Sequence, residues 1–583
     1  MSQEERDFSS VEAPQDKGPL SDDVEVSSGS NSNSSDDVVA PEAQPGVQNI
    51  EAVTISWTRT ALGIAYILIW LTYFVEGMLS GTQAALLPYV TSAFAEHSLT
   101  PTVSVVSSVI GGCTNFTIAK ILDVFGRPQG YLVCIIIATV GLIMMAACRE
   151  VEAYAAAMVF YTVGNTGLQY SLSVFVADTS SLKNRGLMQA FAYSPNMITC
   201  WLAGPISTGF LTGPGWPWAF GMFCILVPAV TLPLFGLMQW NYLKAKKQNV
   251  VPARNSGRTA FQSFIYYCRE FDAVGLILIS AGVALFLLPF NLWLLQPKGW
   301  ASPLIICLLV FGVVLLILFA LWERFFAPVT FIPYSLLTDR TVIGACLLSA
   351  TLFFSYFCWY SYFSSYLQVV NDLSLTDASY VIQIYPVGSV IFSFLAGVVI
   401  HYTARFKLVT MLFGVPLSIL GCGLMLHFRQ PNQNVGYLVM CQIFISFGAG
   451  VIIIADEIAM LAAASHQYIA VALATLGFFG NIGGAIGLTV TSAIWQNTFP
   501  KKLLEYLPAE AQPDLITIYS DLTTQLSYPV GSPTRLAIQK AYGAAQRDIL
   551  IASTAVWALG IIAVLLWRNV KVSEIKQTKG HVI

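Results

Sequence analysis

Residues 120–148 read Lys120-Ile-Leu-Asp123-Val-Phe-Gly126-Arg127-Pro128-Gln129 and then an apolar run, 130–148, without a single Asp, Glu, Lys or Arg. A run of that length matches a helix crossing the hydrocarbon core of a bilayer. A second apolar run, 101–121, precedes the charged turn. The charges are thus confined to a short connection between two membrane-length segments. Working outward in both directions, the same alternation predicts fourteen spans: about 62–86, 101–121, 130–148, 153–177, 187–211, 217–239, 273–295, 302–322, 342–366, 377–400, 406–427, 436–458, 467–495 and 549–567. A span in lipid must satisfy its own backbone hydrogen bonds, so each is expected to be helical. The fold class is an all-α polytopic membrane protein.

The composition agrees. Of 583 residues, 56% are hydrophobic and 10% charged, with a mean hydropathy of +0.66. Soluble proteins carry about 25% charged residues. This excludes an ordinary soluble enzyme and a nucleic-acid binder. The net charge of −3 hides two populations: residues 1–52 hold 12 acidic and 2 basic residues, leaving 20 acidic and 27 basic ones. The N-terminal stretch is rich in Ser, Asp and Asn with no apolar period, which predicts a disordered tail. It has neither the basic start nor the apolar core of a cleaved signal peptide. The 11 cysteines are scattered without a Cys-x-x-Cys pair, so packing is expected of them rather than a zinc site or disulfides.

Lys and Arg in short connections mark the cytosolic side. With both termini cytosolic, the inside segments hold 21 of the 29 basic residues; the outside loops hold 3, and 5 more lie in the long final connection. An even number of spans and cytosolic termini are therefore expected together. Residues 240–272 form a basic linker, with Lys244, Lys246, Lys247, Arg254, Arg258 and Arg269, suited to anionic lipid headgroups. Residues 496–548 form an external loop with five prolines, and a short helix is expected near 534–547.

After the tenth span comes His401-Tyr-Thr-Ala-Arg405-Phe-Lys407. Like Asp123 and Arg127, it sets a polar group four residues before an arginine. Span five carries Ala203-Gly204-Pro205-Ile206-Ser207-Thr208-Gly209, whose Gly-Pro pair kinks a helix. The 120–128 turn resembles the signature loop between helices two and three of the major facilitator superfamily, and 203–209 is similar to the Gly-Pro motif of its fifth helix. The resemblance implies two six-helix halves. The weaker loop copy would then follow span eight; it follows span ten, which implies two inserted helices. The expected layout is a disordered acidic cytosolic tail (1–58), an N-terminal six-helix half (59–239), the linker (240–272), two inserted helices (273–323), a C-terminal six-helix half with its external loop (324–570) and a cytosolic tail (571–583). Span thirteen, the counterpart of span five, carries Gly477, Gly480, Gly483, Gly484 and Gly487, which permit close helix packing.

Further stretches narrow the resemblance. Trp322-Glu323-Arg324, Leu336-Leu337-Thr338-Asp339-Arg340 and Tyr360-Ser-Tyr362-Phe-Ser-Ser-Tyr366-Leu367-Gln368 resemble the fungal siderophore–iron transporter branch of the superfamily. Ala177-Asp178-Thr179 with Arg185-Gly186, and Trp216-Pro-Trp218-Ala-Phe220-Gly221, are similar to it as well.

Ionisable groups inside spans are costly and point to function. Glu76, mid-span in Tyr73-Phe-Val-Glu76-Gly77, is the first candidate for proton coupling or substrate binding, against a hydrogen-bonded structural carboxyl. Asp456 and Glu457 adjoin near the end of span twelve; neighbours on a helix point about 100° apart, so the two cannot face one cavity equally. The resemblance implies a gating latch of Asp123 with Arg127, the alternative being topology control by Lys120 and Arg127. Asp178 with Arg185 offers a gating salt bridge or a solvated turn. In the second loop copy His401 replaces the carboxylate and Arg405 the arginine. Gly204 and Pro205 are the helix-kink candidates. Span nine is aromatic on all sides, and Tyr360, Tyr362 and Tyr366, with Tyr73, are the candidate cavity aromatics.

The reading that follows is a secondary active transporter importing ferric siderophore chelates by proton symport through alternating access. No Gly-x-x-x-x-Gly-Lys-Ser/Thr motif for ATP is present, and no cofactor is expected. A naked iron ion would need a dense set of carboxylates or thiols, so iron would travel inside a chelate. The expected partners are a ferric siderophore, protons and membrane lipid, with no nucleic acid, for a monomeric chain in the plasma membrane or in internal vesicles or the vacuole. A fourteen-helix drug–proton antiporter shares the Gly-Pro motif, but span four lacks the Arg that many such exporters carry there. A nutrient-sensing receptor would carry a long signalling tail, and the C-terminal tail here is short.

Overall fold

The computed structural model describes residues 57–93, 100–180, 182–248, 272–293, 296–327, 338–463 and 469–571, with single positions between 261 and 269. The expected N-terminal tail, the linker beyond Gln248 and the C-terminal tail beyond Lys571 lie outside these residues, apart from a few positions. The main helices are α1 (Arg59–Ala93), α2 (Thr100–Val124), α3 (Arg127–Ala147), α4 (Val151–Thr179), α5 (Leu182–Tyr193), α6 (Asn196–Thr212), α7 (Trp216–Lys247), α8 (Ala273–Leu287), α9 (Pro303–Phe325), α10 (Arg340–Tyr360), α11 (Leu375–Thr403), α12 (Phe406–Phe428), α13 (Val435–Ala463), α14 (Ile469–Tyr506), α15 (Pro533–Ala555) and α16 (Trp557–Leu566). No strand occurs among the described residues.

Among the described residues, ten helices are long and apolar enough to cross a membrane: α1, α3, α7, α9, α10 with its short extension, α11 to α14, and α15 running into α16. The other four expected spans are also helical, as α2, α4, α5 with α6, and α8. α2 and α4 are less apolar because they line the interior, where Asn115, Thr166 and Gln169 replace aliphatic side chains.

Three expectations are redrawn. Span five is two helices, since Pro195 interrupts it and the Ser194 hydroxyl donates to the Phe191 carbonyl. Span nine breaks at Ser361–Tyr362, where Tyr362 takes a left-handed backbone with φ 55°. The expected external loop is largely helical: α14 runs on to Tyr506, two short helices follow (Leu515–Ser520 and Leu522–Ser527), and α15 begins at Pro533. Trp495, Phe499 and Tyr542 stack into a core there, with Trp495 and Phe499 rings 4.3 Å apart. Arg535 is buried and donates to the carbonyls of Gln368 (3.2 Å), Val369 (3.1 Å) and Gln525.

Small residues set the close approaches. A Cβ on Gly141 of α3 would lie 2.6 Å from Tyr161 Cα, and one on Gly164 of α4 would lie 2.5 Å from Ala138 Cα, so each glycine faces the other helix's backbone. Helices α1–α7 and α10–α16 meet along two seams. At one, Gly112 and Gly477 admit Asn481 and Asn115 between α2 and α14. At the other, Gly204 of α6 packs on Ser379 of α11, and the Thr208 and Thr376 hydroxyls are 2.8 Å apart. α8 and α9 stand beside the first seam. α9 buries only Ile305 and Gly312, and its outer face exposes Leu304, Val310, Phe311 and Ile317.

Candidate functional site: a cavity between the helix groups

A cavity of ≈ 390 Å³ lies where the two groups face each other. Asn115 enters it from α2, Gln169 and Ser173 from α4, Tyr193 from α5, Tyr385 and Ser389 from α11, Asp456 and Glu457 from α13, and Asn481 from α14. Both seams and both groups thus contribute to one wall. Asp456 is buried and its Oδ1 has no hydrogen-bond partner. Asn115 Oδ1 is likewise buried and unpartnered. Buried acceptors of this kind are usually satisfied, so the wall is set up to receive donors. Asp456 and Glu457 diverge as their helical spacing requires. Asp456 acts electrostatically on Cys346 of α10, whereas Glu457 acts on Tyr73, Tyr193 and Arg185 of the other group.

Glu76 is 4% exposed and does not line the cavity; it stands directly behind the wall. Gln169 Nε2 donates to its Oε2 at 3.2 Å. The Asn165 amide, with its nitrogen turned to the carboxylate, donates to Oε1 at 3.0 Å and also reaches Oε2. Tyr73 is buried one turn away, its ring 5.1 Å from Tyr193 and its hydroxyl donating to the Gln169 carbonyl at 3.5 Å. Tyr73 therefore supports the wall from behind.

The other aromatic candidates separate. Tyr360 and Tyr362 line a smaller cavity of ≈ 90 Å³ with Leu87 and Pro88 of α1, and Tyr362 stacks on Trp495 at 4.0 Å. Tyr366 is buried beneath Arg429, whose guanidinium lies 5.0 Å from its ring and 4.5 Å from that of Phe363. Tyr89 of α1 donates to Gln368 Oε1, joining the two groups at this end.

At the opposite end Arg127 Nε meets Asp178 Oδ2 at 3.0 Å, both side chains buried. Arg127 thus pairs with Asp178, tying α3 to α4; the side chain of Asp123 lies outside the described residues. Arg185 donates to the Ala177 and Ser180 carbonyls at 2.9 and 3.3 Å, closing the C-terminus of α4. The two groups touch here where Gly186 of α5 meets Gly397 of α11. His401 is half-buried with Nδ1 unpartnered, and Arg405 is exposed. Lys407 does the tying in this second turn, donating to the Leu565 carbonyl at 3.1 Å and the Trp567 carbonyl at 2.5 Å. Asn165, Gln169, Lys407 and Arg429 were not singled out by sequence reasoning. Two amides four residues apart inside an apolar run would have been signal enough for the first pair. No group of three or more potential metal ligands occurs among the described residues.

Comparison with known proteins accords with this architecture. The Major Facilitator Superfamily model matches residues 69–269. The chain is 51% identical over 548 residues to the MFS siderochrome iron transporter 1 of Ajellomyces capsulatus, covering 94% of this chain and 93% of that one. It is 44% identical to the siderophore iron transporter mirB of Emericella nidulans, covering 95% and 92%. Among solved structures, the human organic anion transporter MFSD10 aligns with a TM-score of 0.53 at 11% identity, over 86% of this chain and 99% of that one. A bacterial homologue of the human lysosomal transporter Spinster, inward-facing and unoccupied, aligns with 0.52 at 12% identity, over 88% and 98%. The chain is a multi-pass membrane protein of a transporter rather than an enzyme family: it belongs to the siderophore–iron transporters of the major facilitator superfamily.

Proposed function

We propose that this protein imports ferric siderophore chelates by proton symport, the two helix groups rocking about the cavity between them. The substrate class rests on the names of its relatives, a siderochrome and a siderophore iron transporter. The observation that carries the mechanism is the placing of three carboxyl groups, Glu76, Asp456 and Glu457, in or directly behind the cavity wall, with no Lys or Arg among the lining residues. An interior acid can load and release a proton as access alternates between the two sides, and Arg185 lies within electrostatic reach of Glu457. Amides, hydroxyls and the Tyr193 and Tyr385 rings suit a bulky organic chelate better than a bare cation.

In the same reading α1–α7 and α10–α16 are the two six-span halves, with α8 and α9 inserted. The packing of α8 on the outside of α2 and α14, with α9 resting on α8, supports this. The Arg127 end, richest in basic connections, is cytosolic. The Gly186–Gly397 contact belongs to the cytosolic closure, with the Arg127–Asp178 pair bracing α3 on α4 at that end, and Tyr89–Gln368 belongs to the external one. Protons, lipid and a single copy complete the working unit, in the plasma membrane.

The test is radioiron uptake from a panel of single ferric chelates, by cells lacking other siderophore transporters, across imposed proton gradients. Wild type accumulates at least one chelate faster with an inward gradient. Glu76→Gln reaches the membrane and loses the gradient-driven component. Uptake indifferent to the gradient in wild type rejects symport, and normal gradient-driven uptake by Glu76→Gln rejects the role of Glu76.

A further inference from the structure

The hydrogen bonds around Glu76 have a direction, and that direction reaches the cavity. Among the described residues Gln169 donates to its carboxylate at 3.2 Å, Asn165 does so at 3.0 Å once its amide is turned nitrogen-first, and the carboxylate joins no ion pair. The two amides sit one turn apart on one face of the helix. The titratable groups within electrostatic reach of Glu76 are all phenols: Tyr73 on its own helix, Tyr131 on α3 and Tyr161 on α4. Glu457 of α13 acts on Tyr73 from the opposite group. From α6, Asn196 and Thr199 crowd Gly77, and neither titrates.

An ionised carboxylate only accepts hydrogen bonds, whereas a protonated one also donates. A side-chain amide offers either polarity after a half-turn about its last bond. Protonation of Glu76 therefore sets an O–H against two N–H donors. A buried donor left without an acceptor is costly, so one amide must present its carbonyl instead. Gln169 lines the cavity and Asn165 does not.

We propose that Gln169 is a positioning residue that reports the protonation state of Glu76 to the cavity by reversing its amide. With Glu76 ionised, Nε2 is committed to the carboxylate and Oε1 is left for the cavity. With Glu76 protonated, Oε1 accepts the carboxyl proton and Nε2 faces the cavity as a donor. A chelate whose surface carries oxygen acceptors binds the second state better. By reciprocity of linkage, proton and chelate then favour one another's binding. That is the sign symport requires; exchange would require the opposite. The inference rests on the reading of Glu76 as the group that carries the coupled proton.

The test uses the full chain in lipid nanodiscs, with iron-loaded ferrichrome or iron-loaded desferrioxamine as probe, whichever the wild type accumulates. Calorimetry in buffers of different ionisation enthalpy should show net proton uptake on binding by wild type. Across the titration of Glu76, wild-type affinity should change about tenfold, within the usual range of site–site coupling, and less than about twofold in Gln169→Met. Gln169→His, which can donate or accept, should restore part of the dependence, and Asn165→Ala should retain it. Proton release on binding, or a full pH dependence in Gln169→Met, overturns the amide switch while leaving Glu76 in place. A full pH dependence in Glu76→Gln overturns the assignment of Glu76 itself. Should Gln169→Met not fold, the sign of proton exchange in wild type and the response of Gln169→His decide.

Discussion

Replacing Asp178 with Asn would leave the Arg127 guanidinium facing an amide inside the bundle. In the native pair Nε and Oδ2 are 3.0 Å apart, with side chains 5% and 3% exposed. At an effective dielectric of about 20, unit charges that close attract by roughly 5 kcal/mol. Removing one partner of a buried pair costs about 3–5 kcal/mol, because the remaining charge stays desolvated. Asn keeps the volume and one acceptor, which places the expected loss near the lower bound, about 3 kcal/mol. Arg185, which donates to the carbonyls of Ala177 and Ser180, is a second cation within electrostatic reach of Asp178, so neutralising Asp178 removes counter-charge from it as well. For a cooperative unit the size of α1–α7, each kcal/mol shifts the melting temperature by about 2–4 °C, so the fall should be roughly 6–12 °C. The assay is fluorescence-detected size-exclusion chromatography of purified protein after graded heating. The double variant Arg127→Met/Asp178→Met removes both charges and keeps apolar bulk, and should recover most of the loss. A fall below about 2 °C in Asp178→Asn, or a double variant no better than the single one, would refute the claim that this pair is desolvated and mutually dependent.

A Cβ on Gly483 would lie 2.6 Å from Ala350 Cα and against its carbonyl oxygen; Gly483→Val should force α14 from α10 at about 3 kcal/mol and cut surface expression. Gly423→Ala, with open space around it, is the matched control and should be neutral. Because Asp456 and Glu457 line the cavity, each unit negative charge on a chelate at about 8 Å from an ionised carboxylate is disfavoured by roughly 2 kcal/mol. Neutral ferric trihydroxamates should therefore outcompete trianionic ferric tricatecholates in uptake at least ~100-fold. Between α14 and α15, burial works against the charge on Asp521, but the Thr523 and Thr524 hydroxyls and N–H groups outweigh it and hold the carboxyl below its usual range. Its capping contribution is thus present above the ordinary Asp range and is lost as pH falls through the lowered folded value. Asp521→Ala should cost about 1 kcal/mol at neutral pH, read by hydrogen exchange of the amides of residues 522–527, and no longer differ from wild type once that carboxyl is protonated.

Much of this arrangement was legible from the amino acids alone. The alternation of apolar runs with charged turns locates the helices, because lipid leaves the backbone little choice. Glu76 stands out for the same reason: a carboxyl in the middle of such a run needs an explanation. Asn165 and Gln169 were visible as two amides in an apolar run, but that they face Glu76 was not legible, since their relation to α1 exists only after packing. The pairing of Arg127 with Asp178 joins residues 51 positions apart, a separation that the 120–128 turn by itself does not span. Breaks inside spans five and nine were hidden by unbroken hydropathy. Pro195 is a visible breaker, but the left-handed turn at Tyr362 has no glycine to announce it; beside it the Arg429 guanidinium holds the Trp359 carbonyl at 2.5 Å at the end of α10. The aromatic character of span nine was clear, and its division between two cavities and a buried stack was not.

The position of α8 makes the two seams mechanically unequal. Its last turns, with Val283, Ala284 and Leu287, are wedged among Val105 and Val109 of α2 and Ala485 and Leu488 of α14, so one hydrophobic cluster splints that seam from outside. Among the described residues the α6–α11 seam has no such splint and instead carries a lateral apolar hollow of ≈ 400 Å³ beside Trp201 and Tyr380. Motion of one helix group against the other must shear the splint or pivot on it, while the bare side is free to gape. If the two groups rock as proposed, the bundle opens like a door on a hinge post rather than like two equal rockers.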